Sequence, residues 1–302
     1  MSHLSWPEAG VIGALQGVSE LFPVSSLGHS VLVPAWVGGS WARDLDVSRT
    51  ESPYLAFIVG LHVATALALI VYFWRDWVRL IRGLATSIAR REVRTSDQRL
   101  AWLLVLGTVP VGLVGLLAEH WLRTHLAKPV AASWFLLVNG LILLLAEQLR
   151  QSTGSHAAVD EEYVDERVSG PASDARLSTI PLAPAVLIGS TQILALAPGI
   201  SRSGVTMVAG LLRGLSREDA VRFAFLLATP VILAAGALKL PDLSGHLGDG
   251  IRGQVLFGSV LSGVGAYLAV HFLTRYFDRR SLRPFGVYCL LAGLASVLRF
   301  TI

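Results

Sequence analysis

Two apolar stretches of this chain, residues 8–36 and 182–215, are each broken near the middle by proline, glycine and hydroxyl residues. Either half of such a stretch is shorter than the roughly 20 residues that a membrane-crossing helix needs. The pattern therefore predicts a helix, a break and a second helix that turns back: a re-entrant hairpin. A break at membrane depth is tolerated only where protein or a polar cavity covers it. Composition agrees, with 53% hydrophobic and 15% charged residues against about 25% charged in a soluble domain. The apolar runs are too long and uniform for the alternating strands of a membrane barrel, so the expected class is an all-α integral membrane protein. The first residues lack a basic segment and a cleavage site, so no removable signal peptide is expected. Cys289 is the only cysteine, which excludes an intrachain disulfide and a thiolate metal cluster; it reads as a small packing residue. A net charge of +4 does not call for a nucleic-acid partner, and none is expected.

In chain order, full spans are predicted at 54–74, 101–118, 130–148, 219–240, 254–273 and 284–300, with Pro110 and Pro230 as kink sites. Residues 75–100 read as a basic, polar loop, and 150–179 as a flexible polar spacer carrying Asp160-Glu161-Glu162 and Asp165-Glu166. The halves echo each other. Ile12-Gly13-x-x-Gln16 matches Ile188-Gly189-x-x-Gln192, and Pro23 and Ser26 match Pro198 and Ser201. Each half then holds one hairpin and three spans, and an odd number of crossings inverts the second half. The expected architecture is six transmembrane helices plus two re-entrant helical hairpins in an inverted-topology repeat. Residues 1–149 and 182–302 are the repeats and 150–181 a polar cytoplasmic linker, all in one membrane domain. Inverted repeats with broken helices place the binding site where the breaks meet. Seventeen basic loop residues fall on one side and six on the other, which puts both termini on the outer face. The first hairpin then enters from outside and the second from the cytoplasm.

The breaks carry the chemistry. The first reads Gln16-Gly-Val-Ser-Glu20-Leu-Phe-Pro23-Val-Ser25-Ser26-Leu-Gly28-His29. An acidic side chain at bilayer depth costs roughly 2.5–3.5 kcal/mol on insertion scales, so Glu20 reads as functional rather than as a residue that reaches to water. Gln16 lies one turn before it, on the same face. Ser25 or Ser26 can cap the following helix. Ser26 and His29, three apart, can face a common point, a spacing that suits a nucleophile and a base; His29 can equally be a satisfied structural histidine. The second break reads Pro198-Gly-Ile-Ser201-Arg202-Ser203-Gly-Val-Thr206. A helix N-terminus with free N–H groups, a guanidinium and hydroxyls makes an oxyanion cradle, most naturally for phosphate. Pairing of Arg202 with Glu20 for structural reasons alone is the plainer alternative. No P-loop or Rossmann glycine pattern occurs. His62, Asn139 and His271 read as interhelical or interfacial hydrogen-bonding groups.

At these two motifs the chain resembles the undecaprenyl-diphosphate phosphatase family of the bacitracin-resistance type. The likeness covers nearly the whole chain. One signature is Glu/Gln-x-x-x-Glu, here Gln16 to Glu20, running on to Pro23-Val24-Ser25-Ser26-x-Gly28-His29. The other is Pro-Gly-x-Ser-Arg-Ser-x-x-Thr, here Pro198 to Thr206. The resemblance implies a bacterial inner-membrane hydrolase that takes the terminal phosphate from undecaprenyl diphosphate, recycling the lipid carrier of peptidoglycan synthesis and lowering sensitivity to bacitracin. It implies help from a divalent cation, magnesium or calcium, with Glu20 as its protein ligand, and no organic cofactor. Gln16 stands where the family also uses Glu, and it cannot serve as an acid or an anionic ligand. On this reading Glu20, Ser26, His29 and Arg202 are catalytic, and Gln16, Ser25, Ser201, Ser203 and Thr206 bind the phosphate. Ser26 is the favoured nucleophile with His29 as its base, His29 or water being the rival. Glu20 orients His29 or water. The lipid bilayer and undecaprenyl diphosphate are the partners, and the residues leave a homodimer open. A lipid-carrier flippase of inverted-repeat type is the competing function.

Overall fold

The computed structural model describes residues 4–48, 53–152, 166–244 and 250–302. Thirteen α-helices are found among them: α1 Trp6–Leu21, α2 Ser26–Val37, α3 Gly39–Asp44, α4 Pro53–Tyr72, α5 Trp74–Arg90, α6 Ser96–Leu126, α7 Pro129–Ser152, α8 Glu166–Ser178, α9 Leu182–Ser190, α10 Arg202–Leu212, α11 Arg217–Ser244, α12 Arg252–Arg279 and α13 Arg283–Thr301, with a 3-10 helix over Thr191–Leu196 between α9 and α10. No strand occurs among the described residues. Six helices (α4, α6, α7, α11, α12 and α13) are long and apolar enough to cross a membrane. At 1.5 Å per residue the 20 residues of α4 span about 30 Å, the thickness of a bilayer's hydrocarbon core. α13 leaves Val287, Leu291, Leu294 and Leu298 exposed on its outer surface, as a lipid-facing helix must. The chain is an all-α, multi-pass membrane protein.

The limbs of the two broken segments, α1 with α2 and α9 with α10, are each shorter than a span. Local chemistry sets their ends. Ser5 and Glu8 form a reciprocal cap at the start of α1, and Pro23 follows its last turn. Ser25 caps α2 and Ser201 caps α10, each side chain accepting from the backbone N–H three residues on, Gly28 and Gly204. α6 and α11 remain helical through Pro110 and Pro230.

The halves interleave. α1 packs along α12, α9 along α6, α7 along α13, and α4 on α11 and α12. Backbones approach closely where small residues face each other. A Cβ on Gly13 would sit 2.5 Å from the Gly258 carbonyl oxygen, and one on Gly17 would collide with Ser262. Only glycine lets α1 lie this deep, with Gln16 and Glu20 on its buried face.

Two expected loops are helices instead. Residues 75–100 were expected to form a polar loop, but 74–90 fold as α5. Its Leu80, Gly83 and Ser87 are buried while Arg75, Arg82 and Arg90 are exposed, the one-sided pattern of an interfacial amphipathic helix. The second part of the expected flexible spacer folds as α8, because its acidic groups find cations. Buried Asp174 accepts from Arg79 Nη2 at 2.6 Å and Arg222 Nε at 2.8 Å. Asp219 accepts from Arg176 and Ser173. Burial would lower the pKa of Arg79, but its hydrogen bonds to Asp76 and Asp174 and their charges outweigh that and raise it. Asp160-Glu161-Glu162 and Asp165 lie outside the described residues.

Candidate active site

The two breaks meet. The Gly199 N–H, 174 positions along the chain from Ser25, donates to the Ser25 hydroxyl at 3.1 Å. Ser201 and Ser203 donate to the Phe22 carbonyl at 3.4 and 3.3 Å. The Asn139 side chain of α7 joins both breaks: its amide N–H donates to the Pro23 carbonyl and its amide oxygen accepts from the Ser201 N–H, each at 3.0 Å. Cys289 packs beside it, 3.4 Å from the amide nitrogen. Backbone geometry demands this tightness. Gly199 has φ +114°, and a Cβ there would lie 2.5 Å from the Ala132 carbonyl oxygen and 2.6 Å from the Leu136 nitrogen. Ser25, at φ +69°, is a non-glycine residue in the left-handed region. Its hydroxyl accepts from both Gly28 and Gly199, which holds that strained conformation in place.

The carboxylate of Glu20, a residue only 7% exposed, is the focus of the joined breaks. One of its oxygens accepts from Gln16 Nε2 at 2.9 Å, from the Ser26 hydroxyl, and from His62 Nε2 of α4 at 3.2 Å. The other faces Arg202 Nη2 at 3.9 Å. Arg202 Nη1 is buried and has no hydrogen-bond partner among the described residues, so the guanidinium keeps donor capacity beyond Glu20. A hydroxyl, the carboxylate that accepts its proton and a guanidinium from the opposite break thus share one place.

The other expected residues take different parts. His29 donates from Nδ1 to the Ser25 carbonyl and its Nε2 meets the Tyr288 hydroxyl, both at 2.7 Å, with the two rings stacked. Both nitrogens are engaged away from Ser26, and Glu20, not His29, holds the Ser26 hydroxyl. Glu20 does not orient His29 here; its imidazole partner is His62. The Ser25, Ser201 and Ser203 hydroxyls hold backbone of the opposite break rather than standing free as phosphate ligands. Thr206 donates to the Arg202 carbonyl at 2.8 Å within its own helix. Gln16 acts on Glu20, and its amide oxygen is buried and unpartnered among the described residues. His62 was read as an interhelical group. The signal that identifies it is plain in the letters: it is the only His, Asp, Glu, Lys or Arg in the 20 residues of α4, and an ionisable side chain inside a span marks a site by default. Tyr288 carried no such signal.

The residues present do not fit a magnesium or calcium ion. Such ions are held by several oxygen ligands, whereas Glu20 is the one carboxylate here, Gln16 turns its N–H to it, and hydrogen-bond donors and a guanidinium surround it. Among the described residues no group of three His, Cys, Asp or Glu side chains is placed to hold a metal.

Comparison with known proteins gives the family. Residues 9–295 match the family described as bacitracin resistance protein BacA. A protein of Mycolicibacterium paratuberculosis named undecaprenyl-diphosphatase is 62% identical over 300 residues, covering 98% of each chain. Undecaprenyl-diphosphatase 1 of Frankia casuarinae is 53% identical with both chains fully covered. Undecaprenyl-diphosphatase 2 of Chromobacterium violaceum is 45% identical over 96% of this chain and 97% of its own. With the family match running through both breaks and nearly end to end, the chain belongs to the bacitracin resistance protein BacA family.

Proposed function

We infer that this protein hydrolyses undecaprenyl diphosphate to undecaprenyl phosphate and inorganic phosphate. The observation that carries this reading is the hydrogen bond from Ser26 to Glu20 opposite Arg202, made where the two breaks join. In the proposed reaction Arg202 binds the terminal phosphate through its remaining donors. Ser26 Oγ attacks the terminal phosphorus as its proton passes to Glu20. The bond from that phosphorus to the bridging oxygen breaks, and undecaprenyl phosphate leaves. Glu20 hands the Ser26 proton to the departing undecaprenyl phosphate. Water then attacks the phosphoserine as Glu20 takes its proton, the bond from phosphorus to Ser26 Oγ breaks, and Glu20 returns the proton to Oγ as inorganic phosphate departs. The positive charge of Arg202 stabilises the phosphoryl oxygens in both transition states. Gln16 and the backbone-holding serines keep the carboxylate and the breaks in register.

The family match supports a bacterial inner-membrane location, and the loop charge asymmetry supports an orientation with both termini outside. The headgroup then enters from the outer face while the prenyl chain stays in lipid. The product returns to peptidoglycan synthesis, and removal of the diphosphate form that bacitracin captures lowers sensitivity to it. A flippase needs to bind a headgroup but needs no hydroxyl held by a carboxylate, so nothing here favours that alternative.

Phosphate release from undecaprenyl diphosphate by the purified protein in detergent micelles tests the reading. Arg202→Ala should lower kcat/KM by about 10²–10³-fold, the range for loss of a charge-stabilising donor, and Ser26→Ala by more, up to about 10⁶-fold, the scale for loss of a nucleophile. Wild-type rates from Ser26→Ala would remove Ser26 from the chemistry. No release by the wild type would remove the hydrolase assignment.

A further inference from the structure

We propose that His62 is the positioning residue that aims Glu20 at Ser26. The proposal rests on the hydrolase reading above and adds to it a residue outside both sequence motifs.

The ring's orientation is fixed at both nitrogens. Nδ1 lies 2.8 Å from the Ile58 carbonyl, one turn back in α4. A carbonyl only accepts, so Nδ1 carries a proton. Nε2 lies 3.2 Å from the very Glu20 oxygen that accepts from Ser26. A carboxylate also only accepts, so Nε2 presents an N–H to it. α4 is itself pinned at this level, where Thr65 lies 3.1 Å from Ser262 of α12 and α12 lies along α1. His62 therefore delivers a donor from a rigid span to a carboxylate at the end of a short helical limb, next to a break. Gln16 supplies a second donor from one turn earlier in α1. With Gln16 and His62 both on one oxygen, the carboxylate plane is set and the Ser26 hydroxyl finds its acceptor in one direction. Among the described residues the polar partners of His62 are the Ile58 carbonyl and Glu20, so its effect on the reaction passes through Glu20.

This separates it from a packing histidine in measurable ways. His62→Leu keeps comparable bulk and removes the donor. Its kcat should fall about tenfold to a hundredfold, the range for losing a hydrogen bond to a charged group, with KM for the prenyl diphosphate within about twofold because uniform binding is untouched. His62→Gln places an amide N–H near the position of Nε2 and should recover kcat to within about tenfold of wild type, its longer, freer side chain costing more entropy to hold in place. In a Glu20→Gln background, His62→Leu should produce no further fall, since the two residues act as one unit. Thermal unfolding of each variant in detergent checks that the protein examined is folded. A folded His62→Leu protein with wild-type kcat would overturn the proposal. So would a raised KM at unchanged kcat, a His62→Gln protein as slow as His62→Leu, or an equal loss on the wild-type and Glu20→Gln backgrounds. A wild-type protein that releases no phosphate defeats the hydrolase reading instead, so the two failures are told apart.

Discussion

Replacing Asn139 by alanine isolates the device that joins the breaks. The side chain is fully buried and makes two bonds whose partners have little else to turn to: the Pro23 carbonyl on one break and the Ser201 N–H on the other. Alanine leaves a buried acceptor and a buried donor. Each costs about 1–3 kcal/mol when unsatisfied, so the sum is roughly 2–6 kcal/mol. The Cys289 thiol, 3.8 Å from the Pro23 carbonyl, can only weakly compensate, which places the expected loss near 3–4 kcal/mol. For a protein of this size each kcal/mol lowers Tm by about 2–4 °C, so thermal unfolding in detergent should shift down by roughly 6–16 °C. The second readout is activity per folded molecule. Ser201 begins the helix that carries Arg202, and Pro23 stands between Glu20 and Ser26, so loosening the joint separates acid, hydroxyl and guanidinium. A displacement of about 1 Å at a reacting centre is worth about a hundredfold, and kcat measured well below the new Tm should fall by that order. An Asn139→Ala protein with wild-type Tm and wild-type kcat would refute the claim that this amide holds the site together.

Three further outcomes follow from the same geometry. Gly199→Ala puts a Cβ against the backbone of α7 at a φ of +114°; it should yield little folded protein, and normal yield with normal phosphate release would refute the close approach. Asp174→Ala takes from Arg79 and the mostly buried Arg222 a carboxylate that they share, leaving each with Asp76, and a hydrogen bond to a charged group is worth about 1.5–3 kcal/mol; Tm should fall while kcat below the transition is kept, and an unchanged Tm would dissolve the clamp between α5, α8 and α11. Tyr288→Phe removes the hydroxyl at His29 Nε2, a loss of about 1 kcal/mol that should change kcat by less than about fivefold; a fall beyond a hundredfold would return His29 to the proton path.

Much of the fold was legible because a bilayer imposes it. Six spans and two broken segments could be read from run length and from Pro23, Pro198 and Gly199, since no other backbone survives at that depth. Glu20, Ser26 and Arg202 could be read because burying them is expensive. What escaped depended on neighbours. α5 was hidden because arginines dominate residues 74–90, and its one buried stripe of Leu80, Gly83 and Ser87 is narrow. α8 was hidden because Asp174 reads as a solvated charge until Arg79 and Arg222, far away in sequence, are brought to it. The hydroxyls of Ser201 and Ser203 suggested a phosphate cradle, but their acceptor, the Phe22 carbonyl, lies on the other break. His62 stood alone in an apolar helix, and only the packing of α4 showed which carboxylate it serves.

The two breaks echo each other in the residues that shape the backbone and differ in those that carry charge. Pro23 and Pro198 end the first limbs, and Ser26 and Ser201 stand at matching places. In the same register Arg202 corresponds to Leu27, while Glu20 falls opposite Ala195 or Leu196 across the single slip. Two identical breaks related by inversion would bring like charges together, two carboxylates or two guanidiniums, in a medium where that repulsion is barely screened. Dividing the pair, with the carboxylate on one break and the cation on the other, turns that repulsion into attraction across the joint. It also gives the joint a direction: a base beside a hydroxyl on one side, and an anion-binding group on the other. The contacts through Ser25, Asn139, Ser201 and Ser203 bring the breaks together, and the division of charge between Glu20 and Arg202 makes the meeting place suited to phosphoryl transfer.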